Sequence, residues 1–157
     1  METTSCSVLF VCAGNICRSP MAEGVFQKLV NEAGLSDQIS VDSAGTTSYH
    51  VGDRAHIDTQ RMLEKNGISY DGRARVLTRA DLQAFDYILA MDNDNLADIR
   101  SMGKSTATVA RLLDYAPELS TREVPDPYYN GGFEHVYDLV LGGSKGLLAQ
   151  IRLEKDL

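Results

Sequence analysis

Cys12 and Arg18 stand six residues apart, joined by Ala13-Gly14-Asn15-Ile16-Cys17, and the pairing has a definite chemical use. A thiol with an ordinary pKa of about 8.5 is mostly protonated at neutral pH, and only the thiolate is a strong nucleophile. A nearby guanidinium favours the anion. It also grips a phosphate through two oxygens at once, a geometry that lysine does not reproduce. Gly14-Asn15 tolerates the left-handed backbone of a tight loop. Ser19-Pro20 then opens a helix, with Ser19 predicted as its cap and Pro20 at its first helical position. Inward N–H groups and a helix dipole of roughly half a positive charge make such a loop an anion cradle. A thiolate at one lip and an arginine at the other suit attack on a bound phosphoryl group, whose equatorial oxygens meet the same donors in the in-line transition state. The spacing alone is a weak signal, since a buried cysteine at a strand end is the alternative; the strand before it and the helix after it give it weight.

Further along, Asp126 sits between Pro125 and Pro127, whose rings restrict the backbone on both sides. A carboxyl so restrained suits a proton donor to a leaving group; the alternative is a turn aspartate beside prolines. Tyr128 and Tyr129 follow, and adjacent side chains in extended backbone point to opposite faces. One is therefore expected to wall a pocket while the other packs elsewhere, and a plain surface position is an equal alternative for Tyr129. His50, His56 and His135 have no spacing with the cysteines that makes a metal set, so no metal or other cofactor is expected.

The elements that must position these residues are legible in outline. Val8-Leu9-Phe10-Val11 is wholly apolar and predicts a strand buried on both faces, ending at Cys12. Met21, Ala22, Val25, Phe26, Leu29, Val30 and Ala33 recur at helical spacing until Gly34, a C-terminal stop. Residues 39–44 form a second strand ending at Gly45, and the strand-helix-strand order implies a right-handed crossover and a parallel pair. The loop over 45–57, with Tyr49, then falls on the side of the sheet where open α/β folds bind ligands. A helix over 58–66, a connector over 68–78, a short helix from 78 to 85 capped by Thr78, a strand over 87–91, a helix over 93–102 and a strand over 108–113 continue the alternation. Asp92, between the third strand and its helix, reads either as a helix cap or as a group that orients Arg18. An irregular stretch over 114–132 leads to a closing helix from 133 to about 153. Gly142, Gly143 and Gly146 each weaken that helix by about 1 kcal/mol relative to alanine, and are expected to permit close packing against the sheet. The whole predicts one α/β domain over 1–157, a doubly wound sheet of four parallel strands with helices on both faces.

Composition narrows the partners. With 43% hydrophobic and 24% charged residues the chain needs no appeal to disorder, and 157 residues suffice for one core. A formal charge of −7 argues against non-specific nucleic-acid binding, yet leaves room for a small anion in a locally positive cradle. No apolar stretch approaches the roughly 20 residues that span a bilayer. Residues 1–5 carry no basic region ahead of the short apolar run, so neither a signal peptide nor a membrane anchor is expected. Cys6, Cys12 and Cys17 are all the cysteines there are, and an odd, clustered set fits thiols kept reduced in the cytoplasm.

Val11-Cys12-Ala13-Gly14-Asn15-Ile16-Cys17-Arg18-Ser19-Pro20 resembles the phosphate-binding loop of the low-molecular-weight protein tyrosine phosphatase family, and Asp126-Pro127-Tyr128 resembles that family's general-acid motif. Asp42-Ser43-Ala44-Gly45-Thr46, Met91-Asp92 and Val136-Tyr137-Asp138 resemble further family segments, so the likeness spans essentially the whole chain. The resemblance implies a phosphotyrosine phosphatase I-like fold and hydrolysis of phosphotyrosine in proteins, and of small aryl phosphates. It implies Cys12 as the nucleophile that becomes phosphocysteine, Arg18 as the phosphate clamp and Asp126 as acid and then base. Ala13, Gly14, Asn15, Ile16, Cys17 and Ser19 would surround the phosphate, with Ser19 donating to Cys12. Tyr49, Tyr128 and Tyr129 would wall the substrate ring, while Ser43 supports Asn15 and Asp92 stands behind Arg18. It also implies a reversible Cys12–Cys17 disulfide, against which Cys17 as a small buried filler is an equal alternative. Partners would be tyrosine-phosphorylated proteins, with the enzyme itself a monomer or weakly self-associating. Two departures stand out: Gly72 where family members place a histidine in the Asn15–Ser43 network, and a small Ala13. The alternatives are an arsenate reductase on the same fold, whose thiol-cascade form needs cysteines after Cys17, and an anion-binding module without turnover.

Overall fold

The computed structural model describes residues 5–157, so the reading of the first four residues lies outside it. Four strands form one parallel sheet: β1 (Cys6–Cys12), β2 (Ile39–Gly45), β3 (Tyr87–Ala90) and β4 (Thr108–Arg111), in the order β2-β1-β3-β4. Five helices connect and cover them: α1 (Arg18–Glu32), α2 (Ile57–Lys65), α3 (Asp81–Ala84), α4 (Asn93–Ser101) and α5 (Phe133–Lys155). β1 is central because it is apolar on both sides, and its residues alternate between two cores. Val8 and Phe10 pack with Met21 and Phe26 of α1 and Val140 and Leu147 of α5. Leu9 and Val11 face the other way, onto Leu77, Leu82 of α3 and Ile99 of α4. The sheet is doubly wound, as the alternation of elements predicts. In register, Cys12 lies beside Gly45 and Val11 beside Ala90, so the loops after β1, β2 and β3 gather at one sheet edge.

Two boundaries and one packing contact differ from expectation for identifiable reasons. α1 begins at Arg18 with Cys17 at the cap position and no capping side chain, so Ser19 lies inside the helix. The Ser19 hydroxyl is instead engaged by Asn15 and by Cys12. β4 stops at Arg111, and Leu112–Tyr115 turns into a 3-10 helix that carries both leucines into the core. Two of the three α5 glycines pack on that turn rather than on the strands, while Gly142 faces Leu119: a Cβ on Gly143 would sit 2.7 Å from Leu112 Cγ, and one on Gly146 only 1.7 Å from the Tyr115 carbonyl oxygen. Among the described residues, no helix is long and apolar enough to cross a membrane.

Candidate active site

Between β1 and α1 the backbone closes into a ring whose carbonyls are tied down from outside. The carbonyl of Cys12 accepts from Thr46 N, that of Ala13 from the N–H and hydroxyl of Thr47, and that of Ile16 from His56 N. The Cys17 carbonyl accepts from the Thr59 hydroxyl. In a planar trans peptide the following N–H points the opposite way, so the N–H groups of Ala13, Gly14, Cys17 and Arg18 are turned away from those partners, towards the interior of the loop. They add to the start of α1, where no side chain occupies the cap. Asn15 makes the sharp turn with a φ of 58°, the left-handed region, at a cost of about 1 kcal/mol. Its side chain repays that strain: Nδ2 donates to Ser19 Oγ at 2.7 Å and Ser43 Oγ at 3.0 Å, and Oδ1 accepts from Arg75 N at 3.0 Å. Gly45 is required beside the loop, since a Cβ there would lie 2.7 Å from the Ala13 oxygen.

Within this ring Cys12 Sγ lies 3.0 Å from Ser19 Oγ. Arg18 is 3% exposed, and its Nη1 donates to Asp92 Oδ2 at 2.6 Å and to the Val124 carbonyl at 3.0 Å. Burial alone would favour the neutral guanidine, but the negative neighbours Cys12, Asp92 and Asp126 outweigh it and hold Arg18 above its ordinary value. Asp92 therefore does both things that its position allowed, because its second oxygen caps α4 through Asn95 N at 2.8 Å. Asp126 Oδ2 stands 3.6 Å from Arg18 Nη2, and Asp126 Oδ1 accepts from Tyr128 N.

These groups border one cavity of about 200 Å3. Its floor is Cys12, Ala13, Gly14, Ile16, Cys17 and Arg18, and its walls are Thr47, Tyr49, His50, Asp126, Tyr128 and Tyr129. Asn15, Ser19 and Ser43 do not reach the cavity and act from behind the loop; Asp92 likewise stands behind Arg18. The expectation that Tyr128 and Tyr129 diverge is corrected. Their backbone is a turn, not extended, so the two rings meet edge to face with centroids 4.9 Å apart and both border the cavity. Tyr49 and Tyr129 remain largely exposed at the rim. Cys17 is buried with Ile16 and Ala74, and burial together with the Cys12 charge pushes its thiol up to about 12. Cys6 is similarly pushed up to about 11, by burial above all.

Sequence reasoning missed several neighbours. His50 faces the cavity, with its ring against Gly14 and Nδ1 3.2 Å from Asp53. Glu23 and Tyr70 join the rear of the loop through Ser43. Only the Tyr49-His50 adjacency gave a signal for the first. Nothing in the local pattern marked the other two.

A cysteine sulfur, a buried guanidinium and a carboxyl group thus border one small hollow at the edge of a doubly wound sheet, an arrangement suited to an anion. The family described as low molecular weight phosphotyrosine protein phosphatase matches residues 7–157. YfkJ of Bacillus subtilis, named a low molecular weight protein-tyrosine-phosphatase, is 50% identical over 154 residues, covering 96% of this chain and 99% of its own. Its crystal structure superposes with a TM-score of 0.95 over 99% of both chains. The protein tyrosine phosphatase of Entamoeba histolytica follows at 0.90 with 38% identity, covering 97% and 99%. DARP, a Drosophila arginine phosphatase, reaches 0.88 with 35% identity, covering 92% and 97%. The chain belongs to the low molecular weight phosphotyrosine protein phosphatase family, and is an enzyme of the protein-tyrosine phosphatase class.

Proposed function

We propose that the chain hydrolyses phosphotyrosine in proteins in two steps through a phosphocysteine on Cys12. In the first, the Cys12 thiolate attacks phosphorus in line, the S–P bond forms and the bond to the phenolic oxygen breaks. Asp126, as a carboxylic acid, gives its proton to the departing phenolate. In the second, Asp126 as carboxylate takes a proton from water, whose oxygen attacks phosphorus; the S–P bond breaks, releasing inorganic phosphate and restoring the thiolate. Arg18 and the loop N–H groups hold the equatorial oxygens throughout. The aromatic rim favours a flat ring and sets a depth at which phosphotyrosine, longer than phosphoserine, meets the sulfur.

The observation that carries this reading is the convergence on one hollow of Cys12 from a strand end, Arg18 from a helix start and Asp126 from the distant loop before α5. The test is hydrolysis of aryl phosphates and of phosphotyrosine peptides by the wild type, Cys12→Ser and Asp126→Ala. Cys12→Ser is expected to abolish turnover, and substantial residual rate would overturn the thiolate mechanism. Asp126→Ala is expected to lower kcat by about a hundredfold or more for poor leaving groups and far less for good ones. Equal losses across leaving groups would remove Asp126 from the acid role. A phosphoarginine peptide and arsenate with a thiol donor, run in parallel, separate the other chemistries that this cradle can accept.

A further inference from the structure

Gly72 has no left-handed φ, so its backbone does not demand glycine; the space around it does. A Cβ at this position would lie 2.4 Å from the Tyr70 hydroxyl and 2.6 Å from the ring carbon that bears it. Tyr70 has thus taken the room that a side chain at 72 would fill. Its hydroxyl donates to Glu23 Oε1 at 2.7 Å, and the same oxygen accepts from Ser43 Oγ at 2.6 Å.

We infer that Tyr70 and Glu23 are positioning residues for Cys12: through Ser43 they hold the Asn15 amide in the orientation that leaves the Ser19 hydroxyl free to donate to sulfur. The inference rests on Cys12 being the nucleophile. The logic is one of proton counting. An ionised carboxylate only accepts, so Ser43 must spend its single proton on Glu23 and can only accept from Asn15. Asn15 Nδ2 then has one hydrogen for Ser43 and one for Ser19, at 3.0 and 2.7 Å. Ser19, already accepting, directs its own proton at Cys12 Sγ, 3.0 Å away. Hydrogen bonds aligned in this sense strengthen one another and stabilise negative charge on sulfur.

The reverse arrangement is costly. With Asn15 flipped, its amide hydrogens would oppose the Arg75 N–H that now donates to Oδ1 at 3.0 Å. Ser19 would then face a carbonyl and give its proton to Asn15 instead of to sulfur. Glu23 is the group on which the direction depends. Burial and the neighbouring Asp42 charge push its carboxyl up, while the hydrogen bonds from Ser43 and Tyr70 and the Arg75 charge oppose the rise. Burial and the Glu23 charge in turn keep the Tyr70 phenol protonated, well above its ordinary range, so Tyr70 stays a donor. Without that donor Glu23 protonates more readily. A protonated Glu23 can donate to Ser43 and run the chain backwards.

The decisive variant is Tyr70→Phe, which keeps the ring beside Gly72 and removes only the hydroxyl; Glu23→Gln, which keeps the size and replaces an acceptor by a donor, is its companion. Aryl phosphate hydrolysis and the rate of Cys12 alkylation by iodoacetamide are followed from about pH 5 to about pH 8. For Tyr70→Phe, kcat is expected to fall about fivefold with KM within about twofold, at an unchanged melting temperature. The pH midpoint of alkylation should move up by about half a unit, and Glu23→Gln should move it further. Wild-type turnover and alkylation profiles in both variants would overturn the inference. So would a loss of activity that follows a lowered melting temperature while the alkylation profile stays put, since that marks a merely structural role. Cys12→Ser keeps the two readings apart: residual turnover in it defeats the proposed mechanism, whereas an inactive Cys12→Ser beside an unaffected Tyr70→Phe defeats only the positioning role.

Discussion

Arg18 is a buried cation in a chain of net charge −7, and the protein itself supplies two of its hydrogen-bond partners: the Asp92 carboxylate and the Val124 carbonyl. Taking Asp92 to asparagine keeps an oxygen for the α4 cap but removes the charge that fixes the guanidinium. We expect Asp92→Asn to raise KM and lower kcat, together costing about tenfold in kcat/KM at nearly constant melting temperature. Asp92→Ala should add about 1 kcal/mol of lost cap, visible in thermal denaturation. The cysteines also separate by environment. With Cys17 pushed up to about 12 and Cys6 up to about 11, both stay thiols near neutral pH. Limited alkylation read by peptide mass spectrometry should therefore modify Cys12 and spare the other two; equal labelling of Cys17 would contradict this. Cys12, Arg18 and Asp126 were legible because their types are costly to place without use and their immediate neighbours are turn formers. Glu23 and Tyr70 were not, because their partners lie 20 and 47 residues away along the chain and no local period points to them.

At the scale of elements, packing decides where propensity misleads. In an isolated helix, replacing Gly146 by alanine gains about 1 kcal/mol. Here the new methyl would meet the Tyr115 carbonyl, and overpacking of this kind costs about 1–3 kcal/mol. Gly146→Ala is expected to lower stability in chemical denaturation, the reverse of the helix-propensity sign, and a stabilised variant would mean that α5 does not sit on the 3-10 turn. β1 was readable because four fully buried apolar residues in a row admit little else, and Gly34 and Gly67 mark helix ends with positive φ. The start of α1 was misread at Ser19 because a serine before proline looks like a cap from its neighbours alone; the tertiary claim of Asn15 and Cys12 on its hydroxyl overrides that. The loop before α5 was readable as irregular, but its order was not. Arg122 ties it together by donating to the carbonyls of Leu113, Ala116 and Leu119, contacts that no spacing rule anticipates.

Across the whole molecule, one ion-pair junction ties the sheet to the connector behind the loop. Arg75 bonds Asp42 of β2 at 3.0 Å and Asp81 of α3 at 3.0 Å, while its own N–H holds Asn15. Burial would raise the Asp81 carboxyl, but its hydrogen bonds from Arg75 and Thr78 and the Arg75 charge carry it below the ordinary value. A depressed carboxyl stabilises the fold fully above its unfolded pKa of about 4, and that contribution is lost as pH falls through the lower folded value. Asp81→Asn should accordingly be less stable than the wild type at pH 7, with the gap in unfolding free energy closing at acid pH; a gap independent of pH would show that the charge is not what matters. The clamp on Val124 has a consequence in time. Val124, two residues before Asp126, gives its N–H to Met91 and its carbonyl to Arg18, and so docks the segment that carries Asp126 at the cavity. All four strands precede this segment in the chain, and the α5 face that completes the larger core follows it. During synthesis Cys12 and the residues of its loop emerge first, and Asp126 follows well after them. Because α5 packs in one core with β1 and α1, a chain that stops short of it lacks both the support of the cradle and the segment that carries Asp126, and the proposed turnover depends on the end of the chain having been made.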